Sequence, residues 1–413
     1  MIETSSFDWA LIAAQSNASH RRYLLRVNQT HDRCRVLYDK ASISQVRHHL
    51  ANESLGEIEL IEASAREFAE VQARLGLGVP AEALQAEALL EHAVAIGASD
   101  IHLDFQVNGL DVHYRIDGVL SSVATFSVDV GHRLIEQIKV QSRIDIAKVG
   151  VPQDGKLRLQ LWGSYVEFRV STLPAALGES AVIRVLDSAK VEPVLGHLFH
   201  GGVVTQFERC LQMTDGLIVV AGPTGAGKST TLHAMLSELN NGERCLISIE
   251  DPIERVVAGV RQTEVTIDSQ PLWLRSALRQ DPDVIVVGEI RDQTTAELAL
   301  RASRSGHLVL CTLHVGHYPQ IFGRFAEWGI SRSILEDVLR AVIVQRLLRR
   351  NCESCLGEGC PRCRQTGYFG RVGIAELDGG RDDNGSLRDH AMNLVALGLT
   401  RESEVQRVLG HAA

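Results

Sequence analysis

The stretch GLIVVAGPTGAGKSTT, residues 216–231, is an apolar run that breaks into glycines and resumes with a lysine and hydroxyl side chains. Gly222 and Gly227 bracket four residues ahead of Lys228 and Ser229, the G-x-x-x-x-G-K-[ST] spacing of a phosphate loop. The setting is the required one, with an apolar strand before the loop and good helix formers after it. Glycines let the backbone curl until successive N–H groups point at phosphate oxygens, and the helix start adds its positive end. Gly222, Pro223, Thr224, Gly225, Ala226, Gly227, Lys228, Ser229 and Thr230 are therefore the expected cradle for a nucleoside triphosphate. In that cradle Lys228 meets the β and γ phosphates and the Ser229 hydroxyl completes a magnesium shell. A glycine-rich turn that merely joined strand to helix would need no lysine at this place.

Outward from the loop, the chain beyond about residue 200 alternates buried strands with helices: LISIED, then DVIVVGE followed by TAELALRAS, then HLVLCTLH. That rhythm belongs to a parallel α/β sheet, whose ligand crevice lies at the C-terminal strand ends. Glu250, Asp251 and Glu254 follow one strand, Glu289, Arg291 and Asp292 another, and His314 a third. Carboxylates there can bind the water shell of magnesium or orient an attacking water. Acids that follow strands are also ordinary helix caps, and His314 also reads as a satisfied strand-end histidine.

Upstream, residues 1–80 mix short apolar alternations, YLLRV and CRVLY, with a helical stretch, SAREFAEVQARL, and close on LGLGVP. This predicts a small α/β domain ended by a linker. From 81 a helix, AEALQAEALLEHAVAIG, leads into IHLDFQ, LDVHYRIDG, KLRLQLW, YVEFRVS and AVIRVLD, with the helix GHRLIEQIKVQSRI among them. That segment reads as a mostly antiparallel domain with helices. At 413 residues the chain is long enough for two or three domains, and 45% apolar with 23% charged residues is an ordinary globular balance. The formal net charge of −9 confines any basic groove to a local patch, so no specific nucleic acid partner is expected. The sequence holds no apolar run of about 18 residues, and its first residues lack a basic start and long apolar stretch. A cytoplasmic location is expected.

Cys352, Cys355, Cys360 and Cys363 crowd into CESCLGEGCPRC, whereas Cys34, Cys210, Cys245 and Cys311 are scattered singly. The two-residue gaps let paired thiolates turn onto one ion, with Gly and Pro allowing tight knuckles. Zinc is the default ion; an iron–sulfur cluster or a redox disulfide pair is the alternative. Four protein ligands leave no open position, so the site is expected to brace the fold.

In order along the chain, GPTGAGKSTT, ISIEDPIE, LRQDPDVIVVGEIRD and GHLVLCTLH resemble the Walker A motif, aspartate box, Walker B segment and histidine box of the secretion ATPases that drive type II secretion and type IV pilus assembly. SDIHLDFQ, VHYRIDGVL, VPQDGKLRL and FRVSTLPAALGESAVIRVLD are similar to that family's second N-terminal domain. The resemblance runs from about 81 to 376. Residues 22–75 are faintly similar to the small first domain, and GLTRESEVQRVL to the terminal helix. It implies three parts: a small N-terminal recruiting domain over 1–80, a PAS-like α+β domain over 81–195, and a RecA-like P-loop domain over 200–413 that carries the tetracysteine zinc element at 352–363.

The resemblance further implies a homohexamer that binds ATP and Mg2+ between its PAS-like and RecA-like domains. Glu250 is then the general base for water, Glu289 the Walker B acid at magnesium, and His314 a γ-phosphate sensor or domain coupler. Arg115, Arg169 and Arg184 match arginines that face the nucleotide from the PAS-like domain, with Arg275 and Arg279 as further candidates; each also reads as an ordinary surface arginine. The implied role is that of a motor peripheral at the inner face of the inner membrane, pushing on a membrane platform protein and met by a membrane-bound recruiting protein. The tetracysteine element is typical of the assembly and secretion branch and missing from the retraction branch. The chain departs from the family pattern in TLHVGHYP, after His314, and in a shortened segment between Glu376 and Leu387. A conjugative or retraction motor and a nucleotide-sensing regulator without turnover stand as the other readings.

Overall fold

The structure is a computed structural model that describes residues 24–29, 33–39, 46, 50, 57–74, 86–186, 193–378 and 385–410. Much of the expected first domain, the LGLGVP linker and the start of the helix at 81 lie outside these residues. Contacts divide the chain into two compact units, Met1–Lys190 with Asn351–Gly370 and Val191–Arg350 with Arg371–Ala413. The segment with the four cysteines thus groups with the N-terminal residues, although in sequence it lies within 200–413.

In the first unit, β1 (Leu24–Gln29), β2 (Arg33–Asp39) and β3 (Glu57–Ala63) form a three-stranded sheet, followed by α1 (Ala65–Arg74). After α2 (Ala86–Ala95) come β4 (Asp100–Gln106), β5 (Gly109–Ile116), β6 (Val119–Phe126), α3 (Val128–Gln141), β7 (Gln153–Leu161), β8 (Ser164–Ala175) and β9 (Gly178–Leu186). The six later strands make one sheet in the order β6-β5-β4-β9-β8-β7, antiparallel throughout. Alternation along β4 and β5 buries Ile101, Leu103, Phe105, Leu110, Val112 and Tyr114 with Leu89, Leu90 and Ala93 of α2 and Leu134, Ile135 and Ile138 of α3. The intervening residues, Asp100, His102 and Asp104 on β4 and Asp111, His113 and Arg115 on β5, are left to the other face, as the period of two requires.

The second unit opens with the short α4 (Leu195–Leu198) and α5 (Gly202–Leu211). It continues through β10 (Gly216–Ala221), α6 (Lys228–Leu239), β11 (Leu246–Glu250), β12 (Arg261–Glu264), α7 (Gln270–Ala277), β13 (Val284–Val287), α8 (Gln293–Arg304) and β14 (Leu308–Leu313). Next come α9 (Tyr318–Glu327), α10 (Arg332–Val338), β15 (Leu339–Asn351), β16 (Tyr368–Leu377), α11 (Leu387–Ala396) and α12 (Glu402–Leu409). The strands form a seven-stranded sheet in the order β12-β11-β13-β14-β10-β15-β16, parallel from β12 to β15. Every residue of β10, β11, β13 and β14 is buried. Leu217, Val219, Ala221, Ile285, Val287, Val309 and Cys311 pack toward α7, α8, α9 and α10. Ile218, Val220, Val284, Val286, Leu308 and Leu310 pack toward α5 and α6. Continuous apolar runs of β-branched residues suit strands covered on both faces.

The strands β6, β12, β15 and β16 are not marked by the alternation that betrays the others. On β15 the run from Leu339 is broken by Gln345, Arg346, Arg349 and Arg350, each of which has a specific partner in the fold. One of these partners closes the C-terminus onto the sheet. The fully buried Glu404 of α12 accepts from the Arg349 backbone and guanidinium at 3.0, 3.0 and 2.7 Å and from Arg407 at 2.6 Å and 2.8 Å. Burial alone raises the pKa of this carboxylate, but the arginine and backbone donors outweigh it and hold the group at about 2. A depressed folded-state pKa contributes stability above the unfolded value, roughly 4.3, that is lost as pH falls toward about 2. We expect Glu404→Gln to lower unfolding free energy at pH 7 by roughly 1.5–3 kcal/mol, the scale of hydrogen bonds to a charged group. In urea titrations the difference from the parent should shrink between pH 4.5 and pH 2.5, at roughly the pH values the linkage relation sets.

Candidate active site

Ala221, the last residue of β10, lies level with Leu313, the last residue of β14, and with Val344 midway along β15, so the loop after it starts between the end of one strand and the middle of the other. The Gly222 N–H donates to the Leu313 carbonyl at 3.3 Å. Two glycines are required by what surrounds them. A Cβ on Gly222 would stand 2.8 Å from the Gln345 carbonyl oxygen, and Gly227 has φ +87° with Gln345 and Leu347 within 3.3 Å of a Cβ. The loop is thus moulded against β15, and the buried Gln345 side chain donates to the Ala226 carbonyl at 2.7 Å. Pro223, Thr224 and Gly225 form the exposed tip; Ser229 and Thr230 lie in the first turn of α6, half-buried and exposed.

Lys228 is buried and donates to the carbonyls of Gly222 and Pro223 at 3.0 and 3.2 Å. Its Nζ also lies 3.3 Å from Nδ1 of His314. An ammonium can only donate, so Nδ1 accepts, and the imidazole proton sits on Nε2. From there it donates to Oε1 of Glu289 at 3.1 Å, while Oε2 of Glu289 accepts from Arg291 at 2.6 Å. Burial holds the Lys228 pKa below its ordinary value, with the charge of Glu289 opposing and that of Arg346 reinforcing. The Arg291 pKa is raised by its bond to Glu289. Four residues singled out from three separate strand ends thus form one chain of alternating donors and acceptors.

Glu250 belongs to an adjoining network. The end of β13 rests on that of β11, with Gly288 N–H donating to Ile249 O at 2.8 Å and a Gly288 Cβ position 3.3 Å from the Glu250 Cα. The Glu250 side chain is buried and accepts from His233 Nε2 at 3.0 Å, from Gln262 at 2.9 Å and from the Ser248 hydroxyl. Burial pushes its pKa up, but His233, Ser248 and Gln262 together bring it below the ordinary carboxylate value, so it is ionised at neutral pH.

The other strand-end residues separate into different environments. Asp292 caps α8, accepting from the Thr295 amide at 2.9 Å and hydroxyl at 2.7 Å, the helix-cap role acids after strands often take. Asp251 and Glu254 are exposed, as are Arg275 and Arg279 on and just after α7, where Arg279 bonds to the Arg275 carbonyl and the Ser276 hydroxyl. The altered segment after His314 is fixed on both sides, Gly316 donating to Gln320 at 2.8 Å and its carbonyl accepting from Arg346 at 2.8 Å. His233, Ser248, Gln262, Gln345 and Arg346 escaped the sequence reading. Each sits inside a helix or strand pattern that burial alone would explain, and no spacing relates them to the loop.

In the first unit the sheet register aligns Arg115, Asp100, Arg184 and Arg169 across β5, β4, β9 and β8, with Lys156 of β7 next in line. Directly paired residues share a face, so three arginines and a lysine meet a single acid in that row. Asp100 holds Arg184 at 3.1 Å and Arg115 at 3.7 Å, while the Nε of Arg169 is buried without a hydrogen-bond partner. The row thus carries an excess of cations over acids.

The four cysteine sulfurs, also in the first unit, lie within 4.8 Å of one another, with 3.8 Å for Cys352–Cys360, Cys355–Cys363 and Cys360–Cys363. A tetrahedron of thiolates about 2.3 Å from a zinc ion has edges of about 3.8 Å, so the donor set fits. These sulfurs are not disulfide-bonded. Amides of Gly359, Cys360 and Gly367 donate to Cys355 and Cys363 sulfurs at 3.1–3.2 Å, as thiolates invite. The knuckle is fastened beyond its last cysteine, where Gly370 N–H donates to Asp117 at 2.9 Å in the β5–β6 turn.

A family model described as Type II/IV secretion system protein matches residues 79–409. The putative type II secretion system protein E of Escherichia coli (strain K12) is 40% identical over 319 residues, covering 70% of this chain and 65% of that protein. The type II secretion system ATPase E of Vibrio cholerae serotype O1 is 37% identical over 373 residues, covering 78% and 74%. The chain therefore spans 65% and 74% of the lengths of these two relatives. The crystal structure of the pilus retraction motor PilT with bound ADP matches with a TM-score of 0.53 and 29% identity over 79% of this chain and 90% of that one. A phosphate loop in a parallel sheet, a preceding antiparallel domain and this extent of identity together place the chain in the Type II/IV secretion system protein family, with a RecA-like nucleotide domain.

Proposed function

We propose that the chain hydrolyses ATP and, as a homohexamer, powers assembly of a type IV pilus or a type II secretion pseudopilus. The observation that carries this reading is the unbroken Lys228–His314–Glu289–Arg291 chain at the mouth of the phosphate loop, beside a buried, ionised Glu250. The loop amides and Lys228 hold the triphosphate, and Lys228 neutralises charge that spreads over the phosphoryl oxygens. Glu250 accepts the proton of the attacking water. His314 reports the state of the γ-phosphate side to Glu289, since its two nitrogens touch Lys228 and that acid. Ser229 and Glu289 are the residues that would hold Mg2+, which would withdraw charge from the phosphate oxygens. Arg115, Arg184 and Arg169 are a surface for anionic phosphate, a role supported by the cation excess of their row.

Zinc in the tetracysteine knuckle braces the first unit, as a closed S4 site does. The assembly and secretion direction is favoured by that knuckle and by relatives at 37–40% identity that are type II secretion E proteins. The partners in this reading are an inner-membrane platform protein and a membrane-bound recruiting protein, met at the inner face of the inner membrane. No helix among the described residues is long and apolar enough to cross a membrane.

Steady-state hydrolysis tests the reading. Glu250→Gln should lower kcat by roughly 10²–10⁴, the scale of general-base catalysis, while a non-hydrolysable ATP analogue still binds. Lys228→Ala should lose binding itself; hydrolysis by either variant at the parental rate sinks the proposal. Metal analysis of the purified chain should find about one zinc per chain, the stoichiometry of one S4 site. Cys360→Ser should remove the zinc and lower the melting temperature, and a metal-free parent with unchanged melting would contradict the bracing role.

A further inference from the structure

His233 is a buried histidine that nothing in the loop-and-acid scheme uses. It lies on α6, the helix whose first residue is Lys228, and its Nε2 stands 3.0 Å from Oε2 of Glu250, with both side chains under one-tenth exposed. An ionised carboxylate only accepts, so Nε2 carries a proton and donates. The two oxygens of Glu250 are held differently. Oε1 takes Gln262 at 2.9 Å and the Ser248 hydroxyl, groups that lie level with one another on β12 and β11. Oε2 takes His233 alone, from outside the sheet. With about two acceptor sites on each carboxylate oxygen, Oε1 is filled from the sheet and Oε2 keeps one site for a water proton. The group that aims that site and tunes its basicity is His233. Because α6 begins at the phosphate loop, the same bond fixes the distance between the base and the lysine end of the helix.

We propose that His233 is a positioning residue for Glu250, presenting Oε2 to the attacking water and tying the base to the phosphate-loop helix. This rests on Glu250 being the general base, and the groups that act on its carboxylate are His233 from α6, Ser248 from its own strand and Gln262 from β12. Removing one donor to a charged acceptor shifts equilibria by roughly ten- to a hundred-fold. His233→Leu in the full chain should therefore lower kcat by about that factor and move the acid limb of the kcat pH profile up by roughly one to two units. Affinity for a non-hydrolysable ATP analogue should change less than about three-fold, because His233 does not touch the loop amides. His233→Gln, which restores an N–H donor, should recover most of kcat and return the acid limb.

An unshifted acid limb in His233→Leu, or no recovery in His233→Gln, would overturn the positioning role while leaving Glu250 as base. If His233→Leu does not fold, His233→Asn carries the same test, since its shorter amide falls short of Oε2. Glu250→Gln measured in parallel separates the two ideas. Parental turnover in that variant removes Glu250 as base and the role of His233 with it, whereas loss of turnover with an unmoved His233→Leu profile removes only the latter.

Discussion

The parallel ladder between β10 and its neighbours β14 and β15 is the constraint from which the rest of the site follows. It sets Ala221 level with Leu313 and Val344, so the phosphate loop and His314 leave the sheet beside Gln345 and Arg346, which continue along β15 at the same level. β13 and β11 continue the same line and deliver Glu289 and Glu250. No single residue carries the arrangement. It is a consequence of strands buried on both faces, where a one-residue slip would turn each apolar side chain toward the wrong layer.

Burying charge at that edge has a definite cost, and the structure meets it by linking the charges to one another. An ionised group taken from water loses several kcal/mol of solvation, roughly what two or three charge-assisted hydrogen bonds return. Glu250 has three donors, and Lys228 has two carbonyls and a histidine. Glu289 joins the lysine to Arg291 through His314, so the charges are not independent. Hydrogen bonds alone thus link the loop lysine to the strand end.

The first unit works by the opposite means. Its cations lie in an antiparallel row where side chains of directly opposed residues stand side by side, and one acid answers several of them. Like charges brought side by side on a sheet face are unfavourable by themselves, so such a row makes physical sense as a surface for an anion. The cysteine knuckle is a second local solution. Its loops have little apolar surface to bury, and four convergent sulfurs can replace a core.

The sequence by itself determined the phosphate loop, the parallel alternation around it, the acids and histidine at the strand ends, and the cysteine knuckle. These are local patterns: glycine spacing, apolar runs and paired thiols report on backbone within a few residues. It could not separate Asp292, which caps a helix, from Glu289, which joins the lysine network, because both are acids just past the same strand. Nor did it mark β15, whose arginines and glutamine break the apolar run. Only the tertiary structure decided that Gln345 grips the loop from β15, that His233 reaches Glu250 from another layer, and that Asn351–Gly370 belongs with the N-terminal unit. Those contacts join residues far apart in the chain, and their energy comes from burial and hydrogen-bond satisfaction that exist only once the layers have closed.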